Sequence, residues 1–528
     1  MSLAAPATLQ VSGSTSITAP VGGLNALSPI PAMAETDAIV IRNFFPEAFG
    51  VRVRKGTHQQ AIGLDGNVDS ILYYVPQTGS VRIFAVDQSQ IMDVTVPGDY
   101  SGGVALCAST YPWWLHVNFA NAAGTHMLAL NGVDEPVLVS PDGLHRLIIG
   151  DGTVPYTIAG VNPQDLVAPC VAHRRIWAVQ KESTKAWYLP PEAIYGVAKF
   201  FDFGANFARG GFLQALVVYS QDSGLGPDDY LAAISSNGEV SMYAGIDPED
   251  PDTWRQIGVY YIGPTFTRRC HTQYAGDVAV LTQYGLVPIS SVAKPTNVSV
   301  LDNALSRKIQ SLLSLVMAEG SYRAGWSIQM FADANMLLIN VPGINAASTI
   351  QLVLNTVTMA WTMFIDMPAN CWSVVLGTLL YGGDGVVMRA WEGAQDNVDL
   401  NNENGVAIRA DCQQAFSYFG TPGQNKHYKM LRPTFIQSGK FVYRAGANMA
   451  FDFTTIPPPA ALGLASYGIW NVDLWNQAYW SGGAQSGKQW VFIRGISYAA
   501  SVRIALEAST ELIWAATDWV YEKGGIAG

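Results

Sequence analysis

Seven histidines, His58, His116, His126, His145, His173, His271 and His427, are the residues of this chain best suited to metal ligation or proton transfer. No two are spaced to share a helix face, and the zinc motif His-Glu-x-x-His does not occur. A serine nucleophile on a strand-to-helix elbow needs Gly-x-Ser-x-Gly, also absent. The stretch Gly482-Gly483-Ala484-Gln485-Ser486-Gly487-Lys488 fits the first seven positions of a phosphate-binding loop. Gln489 then stands where a magnesium-reaching Ser or Thr is needed, and strand-like Trp490-Val491-Phe492 follows where a helix N-terminus should face phosphate. A glycine-rich hairpin loop is the better reading.

Two acidic stretches could attract calcium. Asp247-Pro248-Glu249-Asp250-Pro251-Asp252 carries prolines that favour a solvated turn. Asp396, Asp399, Asn401 and Glu403 miss the calcium-loop spacing, because Gly405 comes one residue late and Ala410 replaces the terminal Glu. The five cysteines, Cys107, Cys170, Cys270, Cys371 and Cys412, are far apart and form no Cys-x-x-Cys, so neither a disulfide framework nor a zinc site is implied. Reduced, mostly buried thiols made in a cytosol are expected. No catalytic, cofactor-binding or metal-ligating residue is nominated, no cofactor is expected, and the chain is expected not to be an enzyme.

The elements that would position any site are strands. In Tyr230–Val292 an apolar run, Tyr230–Ile234, meets Val240–Tyr243 across Asn237-Gly238, a dipeptide suited to a type I′ turn. Strand-like runs follow at Gln256–Tyr261, Asp277–Leu281 and Leu286–Ile289. Comparable turns stand at Thr78-Gly79, Asn131-Gly132, Glu182-Ser183, Asn237-Gly238, Tyr284-Gly285, Ala334-Asn335 and Asp384-Gly385, separated by 53, 51, 55, 47, 50 and 50 residues. Small sheets recurring at that period predict a β-propeller of about seven blades, because one four-stranded sheet buries neither face alone and a closed ring protects its edges. A β-sandwich array is the rival. Facing Trp177 and Trp187 are expected to form a cross-strand pair. One helix is expected near 302–317, capped by Asp302, with Leu305, Ile309, Leu312 and Val316 on one face.

Of the 528 residues only 13% are charged, about half the ~25% of a typical soluble domain. The balance of 30 basic to 41 acidic residues gives −11, which argues against tracking a nucleic-acid backbone by charge. No basic n-region precedes Arg42, and no apolar run approaches the ~20 residues of a membrane span, so neither export by a leader nor membrane insertion is expected. Residues 1–36, rich in Ala, Ser, Thr, Pro and Gly, are expected to form an arm that is disordered or extended alone and becomes ordered on a neighbouring subunit. Residues 37–405 are expected to form the propeller-like domain. Residues 406–528 should add blade closure and an appended β region, with Pro457-Pro458-Pro459 as a rigid segment and Trp470, Trp475, Trp480 and Trp490 crowded after it. Phe435-Ile436 and Phe441–Tyr443 are expected to flank a hairpin at Ser438-Gly439.

Gly22-Gly23-Leu24-Asn25, Thr36-Asp37-Ala38, Asn43-Phe44-Phe45-Pro46 and Val51-Arg52-Val53-Arg54-Lys55-Gly56 resemble the opening of tail nozzle, or tail tube or phage stabilisation, proteins of short-tailed bacteriophages. The resemblance is sharp over about 45 residues and looser to about residue 400. It implies a structural virion protein, assembled in the host cytoplasm, forming a homohexameric ring below the tail adaptor. Its neighbours would be tail fibres and a plug or needle. Double-stranded DNA would wait in that tube and leave through it. Six copies would carry 6 × −11 = −66 formal charges, and an acidic bore would repel phosphates so that DNA slides. The rival is a receptor- or glycan-binding tail propeller, suggested by Trp113-Trp114 and Trp470 to Trp480. A glycan-cleaving tail enzyme would need paired carboxylates roughly 5–10 Å apart, and spacing nominates none.

Overall fold

The computed structural model describes residues 12–222, 227–293, 302–345, 348–439, 441–452 and 485–526. The chain divides into two compact units that alternate along the sequence: residues 1–58, 352–365 and 391–528, and residues 59–351 and 366–390. This differs from the three consecutive segments expected, because the propeller is an excursion from within the other unit.

Among the described residues the larger unit is a β-propeller of seven blades and also holds a small parallel sheet of Ile148–Ile149, Thr157–Ala159 and Gly196–Val197. The blades' innermost strands are Ser70–Tyr74, Leu115–Asn121, Leu166–Ala172, Leu213–Asp222, His271–Tyr274, Ser327–Phe331 and Cys371–Val375. Consecutive blades adjoin, and the seventh innermost strand returns to the first, so the ring is closed. The last sheet runs Cys371–Val375, Thr378–Gly382, Val387–Glu392 and then takes Gly56–Ile62 from the start of the unit. That strand fastens the two ends of the ring together. Each of the seven expected turns falls in a different sheet, and five of them join its second and third strands.

The sheets bury each other, as the period requires. Trp114, 1% exposed, packs with Leu72, Phe84, Met127 and Val137 between the first two blades. Trp177 is fully buried between the third and fourth, where it stacks on Trp254 with ring centroids 6.1 Å apart. Trp177 does not face Trp187. The register sets it against Tyr188 and sets Trp187 against Ala178, so Trp187 lies on the other face with Phe200. At Asn237-Gly238 only Gly238 has positive φ, +87°, and its N–H reaches the Ser235 carbonyl at 3.0 Å, so the turn is not the type I′ form.

The helix lies further along than expected. Gln310–Gly320 is α-helical after a 3₁₀ turn at Arg307–Ile309, and no side chain caps its start; Asp302 instead pairs with Arg307 at 3.4 Å. Its buried face is Ile309, Leu313, Met317 and Gly320. A second, short helix is Ile289–Ala293. No helix among the described residues is long and apolar enough to cross a membrane.

The smaller unit is built from two sheets. One pairs Ser12–Thr18, Gly50–Val53 and Gln424–Gln437 with Leu512–Ile526. The other includes Asp37–Arg42, Val406–Gln414, Ala500–Ala508 and Phe441–Met449. Phe435 of the first packs against Phe441 and Tyr443 of the second, each at 5.0 Å between centroids. Phe435 and Phe441 therefore do not flank a hairpin; the chain crosses from one sheet to the other. Within the amino-terminal arm, Ser12–Thr18 is an extended strand paired on its own chain, antiparallel to Leu512–Ile526 in register from Ser12↔Glu522 to Thr18↔Ala516.

Candidate functional site

The chemistry-bearing residues gather in the propeller's central channel, where the innermost strands begin. Arg268 and Arg269 precede His271–Tyr274, Asp69 precedes Ser70–Tyr74, and His116 opens the second blade's inner strand. Arg269 donates to the Asp69 carbonyl at 2.9 Å, to Ser70 Oγ at 2.6 Å and to the Trp114 carbonyl at 3.0 Å. Its guanidinium also lies 4.8 Å from the Trp113 ring. Arg268 donates to the Leu213 and Gln214 carbonyls at 3.4 and 3.1 Å. A guanidinium bonded to neutral oxygens keeps its charge but leaves it uncancelled.

These two arginines line both of two chambers. The first, about 520 Å³, also presents Tyr73, His116, His271, Ser327 and Gln329. The second, about 540 Å³, presents aromatic groups: Tyr111, Trp113, Phe266, Tyr322 and Trp326. His116 Nε2 accepts from the Tyr73 backbone N–H at 3.3 Å. Burial, reinforced by the Arg269 charge, pushes His116 down to about 4, and burial alone takes His271 to about 4. Both imidazoles are neutral at pH 7. Burial raises Asp69 to about 6 against the opposing pull of Arg269. His271 Nδ1, Ser327 Oγ and Gln214 Oε1 are buried without a hydrogen-bond partner among the described residues. Such orphaned polar atoms mark a place where a ligand or water completes the bonding.

The first chamber's lining contains no carboxylate and the second's contains one, Glu182. The carboxylate pair that glycosidic hydrolysis by two acids requires is not present in either lining. Among the described residues no group of three or more His, Cys, Asp or Glu could hold a metal.

The stretches weighed from sequence lie elsewhere. In the acidic loop, Asp247 pairs with Arg175 at 3.1 Å and Glu249 with Lys199 at 2.5 Å, so its charges brace neighbouring blades. Asp396 is taken up by Arg54, and Asp399 accepts from the Glu403 N–H and the Asn404 side chain within its own loop. Gln485–Lys488 is a strand paired with Gln424–Gln437, the opposite of the helix a phosphate loop needs. Gly482–Ala484, Pro457–Pro459, Trp470, Trp475 and Trp480 lie outside the described residues. Trp114 is inter-blade core, whereas Trp113 faces the channel. All five cysteines are free, and four are buried. The channel set escaped sequence reasoning because its members are separated by up to about 200 residues. No local signal joins them: Asp69, His116, Arg268 and Arg269 stand at or just before the starts of strands that only the closed ring identifies as inner.

The motif residues of the amino-terminal stretch form a separate polar knot in the smaller unit. Arg54, 1% exposed, makes a two-pronged pair with Asp396 at 2.7 and 2.6 Å. Its Nε donates to Asn43 Oδ1 at 3.0 Å, and its remaining bonds go to the Ile365 and Lys55 carbonyls. Asn43 sits at φ +56° and donates to the Arg409 carbonyl at 2.8 Å. Asn25 Nδ2 donates to Asp37 Oδ2 at 2.7 Å, and a Cβ on Gly23 would come within 2.4 Å of the Trp361 carbonyl.

No family model matches the sequence, and no curated protein matches it. Several solved structures resemble the chain weakly. One is an exo-β-1,3-galactanase from Phanerochaete chrysosporium, 10% identical, covering 77% of this chain and 95% of that one with a TM-score of 0.28. Another is a glycoside hydrolase family 43 arabinoxylan arabinofuranohydrolase from Bacillus subtilis, 10% identical, covering 87% and 96%, TM-score 0.26. A third is described as a 6-phosphogluconolactonase from Bacteroides uniformis, 10% identical, covering 60% and 89%, TM-score 0.30. None of the three is a tail protein. The expectation that the chain is not an enzyme is corrected: these structures are described as a galactanase, an arabinofuranohydrolase and a lactonase, and the lack of a catalytic sequence motif is no ground for excluding catalysis.

Proposed function

We propose that this chain is a structural subunit of a short-tailed bacteriophage tail. Six copies close into a ring beneath the tail adaptor, and double-stranded DNA is held in and released through the ring. The observation that carries this reading is the use made of the resembling stretch. Asn25, Asp37, Asn43 and Arg54 hold the smaller unit together through buried hydrogen bonds and an ion pair, and none of them lines a cavity of the propeller. A motif spent on internal scaffolding suits a shared building block of an assembly.

The DNA conduit lies between copies. The propeller's own chambers, about 520 and 540 Å³ and both lined by Arg268 and Arg269, are too small to hold a duplex. The wall facing DNA is acidic, drawing on the −11 net charge of each copy. Negative-stain imaging of the purified protein tests this. Closed rings with a central hole wide enough for a duplex are expected, and monomers at all concentrations would refute it.

A second reading is that the propeller binds a glycan on the host surface. It is favoured by the aromatic chamber at Tyr111, Trp113 and Tyr322. A glycan array probed with the intact chain, with loss of signal in Trp113→Ala, is the check.

A further inference from the structure

The geometry points to the second chamber of the channel as a binding site for an acidic sugar unit, a hexuronate within a glycan. This rests on the glycan-binding reading and names the ligand class. In a protein of net charge −11, the chamber is lined by four cations, Lys181, Arg268, Arg269 and Arg323, against the single carboxylate Glu182. Asp69, the carboxylate whose charge acts on Arg269, is outside the lining. Arg268 is bonded only to backbone carbonyls on one nitrogen, which leaves N–H groups for an incoming carboxylate.

Charge alone would suit any anion, and two further observations narrow it. Gln214, 4% exposed, is among the lining residues, and its Oε1 is buried without a hydrogen-bond partner among the described residues. That oxygen can only accept, so it calls for a ligand that donates as well as carrying negative charge, as sugar hydroxyls do. Tyr322, 82% exposed, and Trp113 also line the chamber, and an aromatic ring offers a flat apolar face against which the C–H face of a pyranose can lie. A fully ionised inorganic anion uses neither the acceptor nor the rings.

Calorimetric titration of the full chain with methyl β-D-glucuronide, methyl β-D-glucoside and AMP tests the assignment. Glucuronide binding at least tenfold tighter than glucoside is expected. Tyr322→Ala, at an exposed position that cannot disturb folding, should weaken glucuronide at least fivefold with an unchanged melting curve. Arg323→Gln should reduce the preference for glucuronide over glucoside, and Arg268→Gln should abolish it if that variant folds. Equal affinity for the two sugars would overturn the acidic preference while leaving glycan binding intact. Tighter binding of AMP, no binding of either sugar, or insensitivity to Tyr322→Ala would overturn the site. Array binding that persists in Tyr322→Ala would then place the glycan elsewhere on the chain.

Discussion

At the scale of single residues, the two buried charge systems make different demands. Arg54 is fully bonded and its partner Asp396 has no substitute, so removing either leaves a buried charge alone. Arg54→Ala or Asp396→Ala should destabilise the smaller unit by about 3–5 kcal/mol, whereas a Met/Leu replacement of the pair should recover much of that loss. Urea unfolding followed by tryptophan fluorescence would read both. In the channel the effect is on pH dependence. His116 and His271 are held near 4, below the 6.5 of an unfolded chain, so the unfolded state binds more protons between those values. Their contribution is complete above pH 6.5 and is lost as pH falls towards 4. Asp69, raised from 3.8 to about 6, works in the opposite direction: its contribution is complete below 3.8 and is lost as pH rises through 6. Asp69→Asn should therefore steepen the loss of stability on acidification from pH 6 to 4, and His271→Leu should flatten it, in melting temperatures measured across that range.

At the scale of elements, the hairpin at Gly238 and the helix Gln310–Gly320 are the sharpest cases. A Cβ on Gly238 would stand 2.1 Å from the Gly263 carbonyl carbon at a φ of +87°, so Gly238→Ala should cost about 2 kcal/mol or more. Leu313→Ala on the buried face of the helix should cost about 2–5 kcal/mol. Leu315→Ala, two residues on and 58% exposed, should stay within about 0.5 kcal/mol. Thermal melts of the three variants separate these cases. The hairpin position was readable because a turn is a local event, and Gly at positive φ leaves a local mark. The helix boundary was not. Its apolar residues fit two faces, and the choice of Ile309, Leu313 and Met317 over Leu305 and Leu312 is made by what the helix packs on. The pairing of Trp177 with Tyr188 was lost for the same kind of reason: a one-residue change of register, invisible in composition, moves a side chain to the opposite face.

At the scale of the whole molecule, the period of about 50 residues was legible because each blade repeats the same burial problem. The channel was not, since Asp69, Trp113 and Arg269 meet only when the ring closes. Closure itself rests on the strand Gly56–Ile62 joining the last blade, so a deletion of Gln59–Ile62 should turn one cooperative melting transition of the propeller into a broad, lower one in calorimetry. The smaller unit has its own constraint. Its first described strand, Ser12–Thr18, and its Gly50–Val53 strand both pair with Leu512–Ile526, which the ribosome makes after every other strand of that sheet. During translation the propeller has all seven sheets once residue 392 has emerged. Meanwhile Ser12–Thr18, and the edge of Gly50–Val53 that Phe44–Glu47 leaves open, must wait unpaired for more than a hundred further residues. A pause in translation before residue 512 would leave those edges open to wrong partners, so the chain is most vulnerable to aggregation just before its synthesis passes that point.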